Sequence, residues 1–157
     1  MVRMGRYNTR SNLKKKRMIK KVIPIVPRPY SRVRVTSTGH SYNTPEYTEY
    51  KKNLAKWLMF TCQDVGAFNY LEVVFYLPYP KSTPKKNLIE NRLHIKKPDC
   101  DNLLKGLFDA IQLANLIGDD SGIIGSNFVK LYTVSNPRIE IVFKNLIYFD
   151  KDLFFKI

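Results

Sequence analysis

Acidic residues are scarce in this chain of 157 residues: 13 Asp and Glu stand against 27 Lys and Arg, a formal net charge of +14. A surplus of that size on a small protein creates a long-range field that attracts polyanions. Nucleic acid is the first expected partner and an anionic membrane surface the second. Cysteine is scarce too, with only Cys62 and Cys100, far apart and without a CxxC pair. That excludes a disulfide scaffold and a zinc finger, and favours a reducing compartment. His40 and His94 are isolated, so a histidine-based zinc site is not expected. No stretch approaches the roughly 20 apolar residues that span a bilayer, and the run from Val22 to Val26 is broken by Pro24 and closed by Pro27. These absences predict a soluble protein that stays in the cytoplasm where it is made. A Gly-rich phosphate loop and a Ser-His-Asp arrangement are also missing.

What is present fits one ordinary domain. Hydrophobic residues make up 44% and charged residues 25%, as in soluble globular proteins, and the length suffices for a sizeable core. Residues 1–18 read as a basic arm with no acid: a solvated tail, a phosphate-binding segment or a nuclear address. Ile19 to Val26 is β-branched and predicts a first strand. Pro27 to Arg34 is a stiff loop whose Arg28, Arg32 and Arg34 are either solvated or presented to DNA. Thr44-Pro45-Glu46 combines a hydroxyl N-cap, proline at the first helical position and an acid at the positive end of the dipole. Tyr47, Tyr50, Leu54, Trp57, Leu58 and Thr61 then recur at helical spacing as a core stripe. Phe68 to Leu77 reads as a second strand. Residues 78–98 read as a long basic loop carrying Lys81, Lys85, Lys86, Lys96 and Lys97 as candidate DNA contacts; loops of such length are usually functional or disordered. A second helix is expected from Leu103 to Ala114. Ile123 to Val134 and Arg138 to Phe143 are expected to pair as antiparallel neighbours. The apolar tail 145–157 should pack on the domain or on a second subunit. The expectation is a single α/β (α+β) domain over 19–144, with a mixed sheet of about four strands packed on two helices.

Five of the thirteen acids fall between residues 99 and 120, and all are Asp: Asp99, Asp101, Asp109, Asp119 and Asp120. Helix capping accounts for Asp99 or Asp101 and leaves the Asp119-Asp120 pair unexplained. Within the second helix, Leu103, Leu104, Leu107, Phe108, Ile111 and Ala114 form the buried stripe. Asp101, Lys105, Asp109 and Gln112 form the polar stripe beside it. One reading of that polar stripe is a solvated face with Asp101 and Lys105 as an i,i+4 pair worth about 0.3–0.5 kcal/mol. The other requires the chain to fold back, so that Asp120 joins Asp99 and Asp101 around a hard cation such as Mg²⁺, which takes carboxylate, phosphate and water oxygens. Cys100, between two aspartates, is expected to turn into the core.

The block Pro98-Asp99-Cys100-Asp101-Asn102-Leu103-Leu104-Lys105, followed by Phe108-Asp109-Ala110 and Asp119-Asp120, resembles the RusA-type Holliday junction resolvases, especially phage and prophage members. Pro27-Arg28-Pro29 through Arg34, Tyr42-Asn43-Thr44-Pro45 and Pro80-Lys81-Ser82 with Lys85-Lys86 extend the likeness over about residues 22–143. The resemblance implies a mixed α/β fold and a homodimeric, Mg²⁺-dependent endonuclease of DNA recombination and repair, acting in a bacterial host. Such enzymes cut four-way junctions by paired symmetric nicks, and Mn²⁺ is expected to substitute for Mg²⁺. By position it implies Asp99, Asp101 and Asp120 as metal-binding carboxylates and Lys105 as the catalytic lysine, with Asp109 and Asp119 in supporting places. Cys100 stands where a plain aliphatic is usual, and Gly106 where alanine-like residues are common, at about 1 kcal/mol of helix propensity. Two alternatives remain open on the residues alone: a less selective nuclease of flaps or forks, and a basic DNA-binding protein whose acids only cap and bridge a helix. Phe108 is read as core, with a junction wedge as its alternative.

Overall fold

The computed structural model describes residues 18–147. Its elements in chain order are β1 (Ile19–Ile23), β2 (Arg34–Val35), β3 (Ser41–Tyr42), α1 (Pro45–Thr61), β4 (Tyr70–Pro78), α2 (Cys100–Leu113), β5 (Gly125–Thr133) and β6 (Arg138–Lys144). β1, β6, β4 and β5 form a mixed sheet in that order, and β2 and β3 form a separate small hairpin. The α/β class, the four-stranded mixed sheet and the two helices agree with the sequence.

The neighbours within the sheet do not all agree. β5 and β6 were expected side by side, yet β4 lies between them, parallel to β5 and antiparallel to β6. β4 buries its alternate residues Leu71, Val73, Phe75 and Leu77, and its backbone pairs along both edges over nearly its whole length. β4, α2 and β5 thus form a parallel crossover unit, for which a helix is the usual connection.

Leu71, Val73 and Phe75 of β4 align with Phe143, Ile141 and Ile139 of β6. They share one core with Leu54 and Leu58 of α1 and Leu103, Leu107 and Ile111 of α2. Both helices therefore cover one face of the sheet. The opposite face carries a lattice of charge: Lys20 pairs with Glu140 at 2.7 Å, Arg138 with Glu140 at 2.8 Å, and Lys144 with Glu72.

Helix α1 starts as expected, with the Thr44 hydroxyl accepting from the Tyr47 amide at 3.4 Å. Helix α2 starts three residues earlier than expected, because Asp99 is its N-cap and the Asp-Cys-Asp run is its first turn. Phe108 packs partly buried against the core, which supports its core reading over the wedge. The long loop is partly ordered along β5: Leu93 bridges Leu131, and the Tyr132 amide donates to the Arg92 carbonyl at 2.7 Å. The hairpin of β2 and β3 follows the segment read as loop and shares only Arg34 with it. Its strands are too short to show a period, and it turns through Gly39 at φ +82°.

The basic arm through residue 17, and the tail from residue 148, lie outside the described residues. At the edge of that tail, the Asn69 side chain donates to the Leu146 carbonyl at 2.8 Å and accepts from its amide at 2.7 Å. Among the described residues no helix is long and apolar enough to cross a membrane.

Candidate active site

The front of α2 is where the acids and the basic loops meet. Asp99 has extended backbone and caps the helix, but its carboxylate bonds none of the free helix amides. Asp101 follows in the first turn, exposed, near the positive end of the helix dipole. Neither carboxylate forms a hydrogen bond or ion pair among the described residues, so both are free to take a ligand. Cys100 between them is half-buried and reduced. A cleft of about 460 Å³ opens beside Asp99, lined by Pro29, Tyr30, Lys97, Pro98, Asp99 and Asn102. The backbone ties its walls together, since the Tyr30 amide donates to the Asn102 carbonyl at 2.8 Å.

Lys105 lies one turn beyond Asp101 and is held from two directions. Its ammonium reaches Asp109 at 3.8 Å and stands 4.9 Å from the centre of the Tyr30 ring. One of the two readings of the polar stripe paired Lys105 with Asp101; the pair forms with Asp109 instead, and Asp101 has no ion pair among the described residues. Asp109 also accepts from the buried Tyr47 hydroxyl at 2.8 Å, and Tyr47 meets Tyr30 edge to face with centroids 5.3 Å apart. Burial, and then the Asp109 carboxylate, push the Tyr47 phenol far above its ordinary value, so it stays a proton donor to Asp109 throughout the working pH range. Gly106 explains how loop and helix come so close. A Cβ there would sit 3.3 Å from the Arg28 carbonyl oxygen.

Asp119 and Asp120 lie on the turn that leads back to β5. The Asp119 carboxylate accepts from the Ser121 amide at 2.8 Å. That bonding holds its pKa below the usual carboxylate range. Asp120 opens a single 3-10 turn over Asp120–Gly122 and is exposed. Among the described residues no three His, Cys, Asp or Glu side chains are grouped so as to hold a metal ion. The fold therefore gathers Asp99 and Asp101 at one helix end and leaves Asp120 outside a closed three-acid cage. The donor chemistry still fits a hard cation, because Mg²⁺ binds through one or two carboxylates together with substrate phosphate and retains waters.

The eight candidate DNA contacts, Arg28, Arg32, Arg34, Lys81, Lys85, Lys86, Lys96 and Lys97, are all exposed. None of them forms an ion pair among the described residues. Lys97 borders the cleft beside Asp99, whereas Arg28 lines a different hollow with Glu46, Glu49 and Tyr50. Three residues that shape the site carry no site signal in the sequence, Tyr47 being read there only as core. Tyr30 and Tyr47 act through contacts made across the fold. Lys130 of β5 donates to the Lys96 carbonyl at 2.8 Å and to the Pro98 carbonyl at 2.6 Å.

The family described as Endodeoxyribonuclease RusA matches residues 24–144. No curated protein matches the chain. The matched span runs from just after β1 to the end of β6 and contains every residue of the site.

Proposed function

The chain belongs to the RusA endodeoxyribonuclease family, which implies cleavage of Holliday junctions, and from this premise we propose that it does so as a Mg²⁺-dependent homodimer. The observation that carries the residue assignment is the pair of carboxylates, Asp99 lining the cleft and Asp101 in the first turn of α2, neither engaged among the described residues, with Lys105 one helical turn beyond Asp101. Asp99 and Asp101 would hold the ion, with Asp120 from the turn after α2 as a third carboxylate. When bound there, Mg²⁺ supplies a water of lowered pKa and positive charge against the phosphoryl oxygens; Mn²⁺ serves the same donors. Lys105 directs its ammonium at negative charge that develops during in-line displacement. Asp109 and the Tyr30 ring keep that ammonium from wandering, and Asp119 holds its own turn by bonding the Ser121 amide.

The exposed cations, on the 27–34 loop and the 78–98 segment, bind phosphates of the arms. Two copies carry 2 × 14 = +28 formal charge, and two-fold symmetry presents two sites to a substrate with matching symmetry. Asp101→Asn is expected to bind a four-way junction normally and to lose Mg²⁺-dependent nicking. Nicking at the wild-type rate by that variant removes the metal assignment. Equal cleavage of a junction and of linear duplex of the same sequence removes the junction assignment and leaves a general nuclease.

A further inference from the structure

We propose that Lys130 is a positioning residue for the acidic front of α2, holding the Lys96–Pro98 turn so that Asp99 stands where a cation and phosphate can reach it. The proposal rests on the reading above that Asp99 and Asp101 carry the ion. Lys130 lies on β5 opposite Phe75, on the sheet face that the helices cover, and is only partly exposed. Its ammonium donates to the Lys96 carbonyl at 2.8 Å and to the Pro98 carbonyl at 2.6 Å. Two of its three protons are thus committed to the backbone immediately before Asp99.

The location explains why a side chain is needed there. Up to His94 the incoming segment is held by backbone bonding to β5, the last such bond running from the His94 amide to the Lys130 carbonyl at 3.0 Å. Beyond it the chain must leave the strand edge and enter α2 at Cys100. Lys130 therefore holds the segment twice: by its carbonyl at His94, and by its ammonium across the gap to Pro98. A lysine head is strongly hydrated, and withdrawing it onto two carbonyls costs solvation that a surface phosphate contact would not. Groups that orient metal-binding residues have this character: they touch neither ion nor substrate, yet set where the donors point.

The test uses the full chain with Lys130→Met, which keeps the stem and removes the donors. Mg²⁺ dependence of junction nicking, junction binding in chelator, and amide hydrogen exchange are compared with wild type. A positioning role predicts a kcat lower by about 10-fold and a higher Mg²⁺ midpoint. It predicts KM and chelator binding within about twofold of wild type. Amides of residues 97–103 should exchange faster while those of α1 and β4 do not. Unchanged kcat, midpoint and exchange overturn the proposal. So does weaker binding in chelator with a salt dependence reduced by about one unit of slope, which marks a phosphate contact. If Lys130→Met does not melt cooperatively, Lys130→Leu, which likewise lacks the donors, carries the same comparison with the same outcomes. Failure of the underlying metal reading appears separately, as undiminished nicking by Asp101→Asn, and leaves the exchange and binding results on Lys130 interpretable.

Discussion

Lys105 is held by Asp109 and by the Tyr30 ring, and Asp109 in turn is held by Tyr47, whose hydroxyl donates at 2.8 Å. Tyr47→Phe removes that donor and leaves a partly buried carboxylate short of a bond, which should cost about 1–2 kcal/mol in denaturant unfolding. The same variant should slow nicking severalfold while junction binding in chelator is unchanged. Lys105→Ala should slow nicking by about 100-fold and weaken binding far less; equal losses would make it a phosphate contact. The buried phenols also give stability a pH dependence of fixed sign. Burial raises Tyr47, and pushes Tyr50 up to about 12. A phenol raised in the folded state contributes stability that is complete below the unfolded value of about 10 and is lost as pH climbs toward the folded value. The denaturation midpoint should therefore fall above pH 10, and Tyr50→Phe should flatten that fall. His94 works at the other end. Burial, with the Lys130 charge second, lowers its pKa below 6.5, so its share of stability is present above that value and lost as pH drops. An acid limb that survives unchanged in His94→Gln would contradict this. The grouping of Asp99, Asp101 and Lys105 along the chain was legible in the sequence because the cap and first two turns of α2 carry all three. Tyr30 and Lys130 were not, because each reaches the site from a distant part of the chain, and neither lysine nor tyrosine announces a non-local partner.

At the scale of elements, Gly106 is a helix-interior glycine with a structural reason. In an open helix, Gly→Ala should gain about 1 kcal/mol, but here the added Cβ would press to 3.3 Å on the Arg28 carbonyl oxygen. Gly106→Ala should therefore bring no rise in melting temperature, and it should displace the 28–30 loop that borders the cleft. A clear rise would show that the loop gives way freely. Element type was readable wherever a period or a cap marked it, as with Thr44-Pro45-Glu46 and the leucine stripe of α2. Strand adjacency was not. β5 and β6 follow one another across a short Pro-containing link, which suggested a hairpin, but β4 pairs with both and lies between them. The same limit applies to the 78–98 segment, which is ordered by the edge of β5 together with a 3-10 turn at Lys85–Asn87 and the Tyr79 hydroxyl bonded to Ile89.

The whole molecule is a basic body in which five of the thirteen acids fall between residues 99 and 120. The eight exposed Arg and Lys of the two loops should make junction binding steeply salt-dependent, with log Kd changing by about 0.9 per phosphate neutralised against log salt. Lys85→Ala combined with Lys86→Ala should reduce that slope by about two and leave the Mg²⁺ midpoint unchanged; a slope equal to wild type would remove this pair from the DNA surface. The central claim is that Asp99, Asp101 and Asp120, though not closed into a cage in the single chain, share one divalent ion when DNA is present. Fe²⁺ bound in place of Mg²⁺, with ascorbate and peroxide and a junction of non-cleavable linkages, cuts the polypeptide nearest the metal. The account predicts cuts at both residues 98–102 and residues 119–121, suppressed by excess Mg²⁺ and lost in Asp101→Asn. Cuts confined to either segment alone, or unaffected by Asp101→Asn, would contradict it.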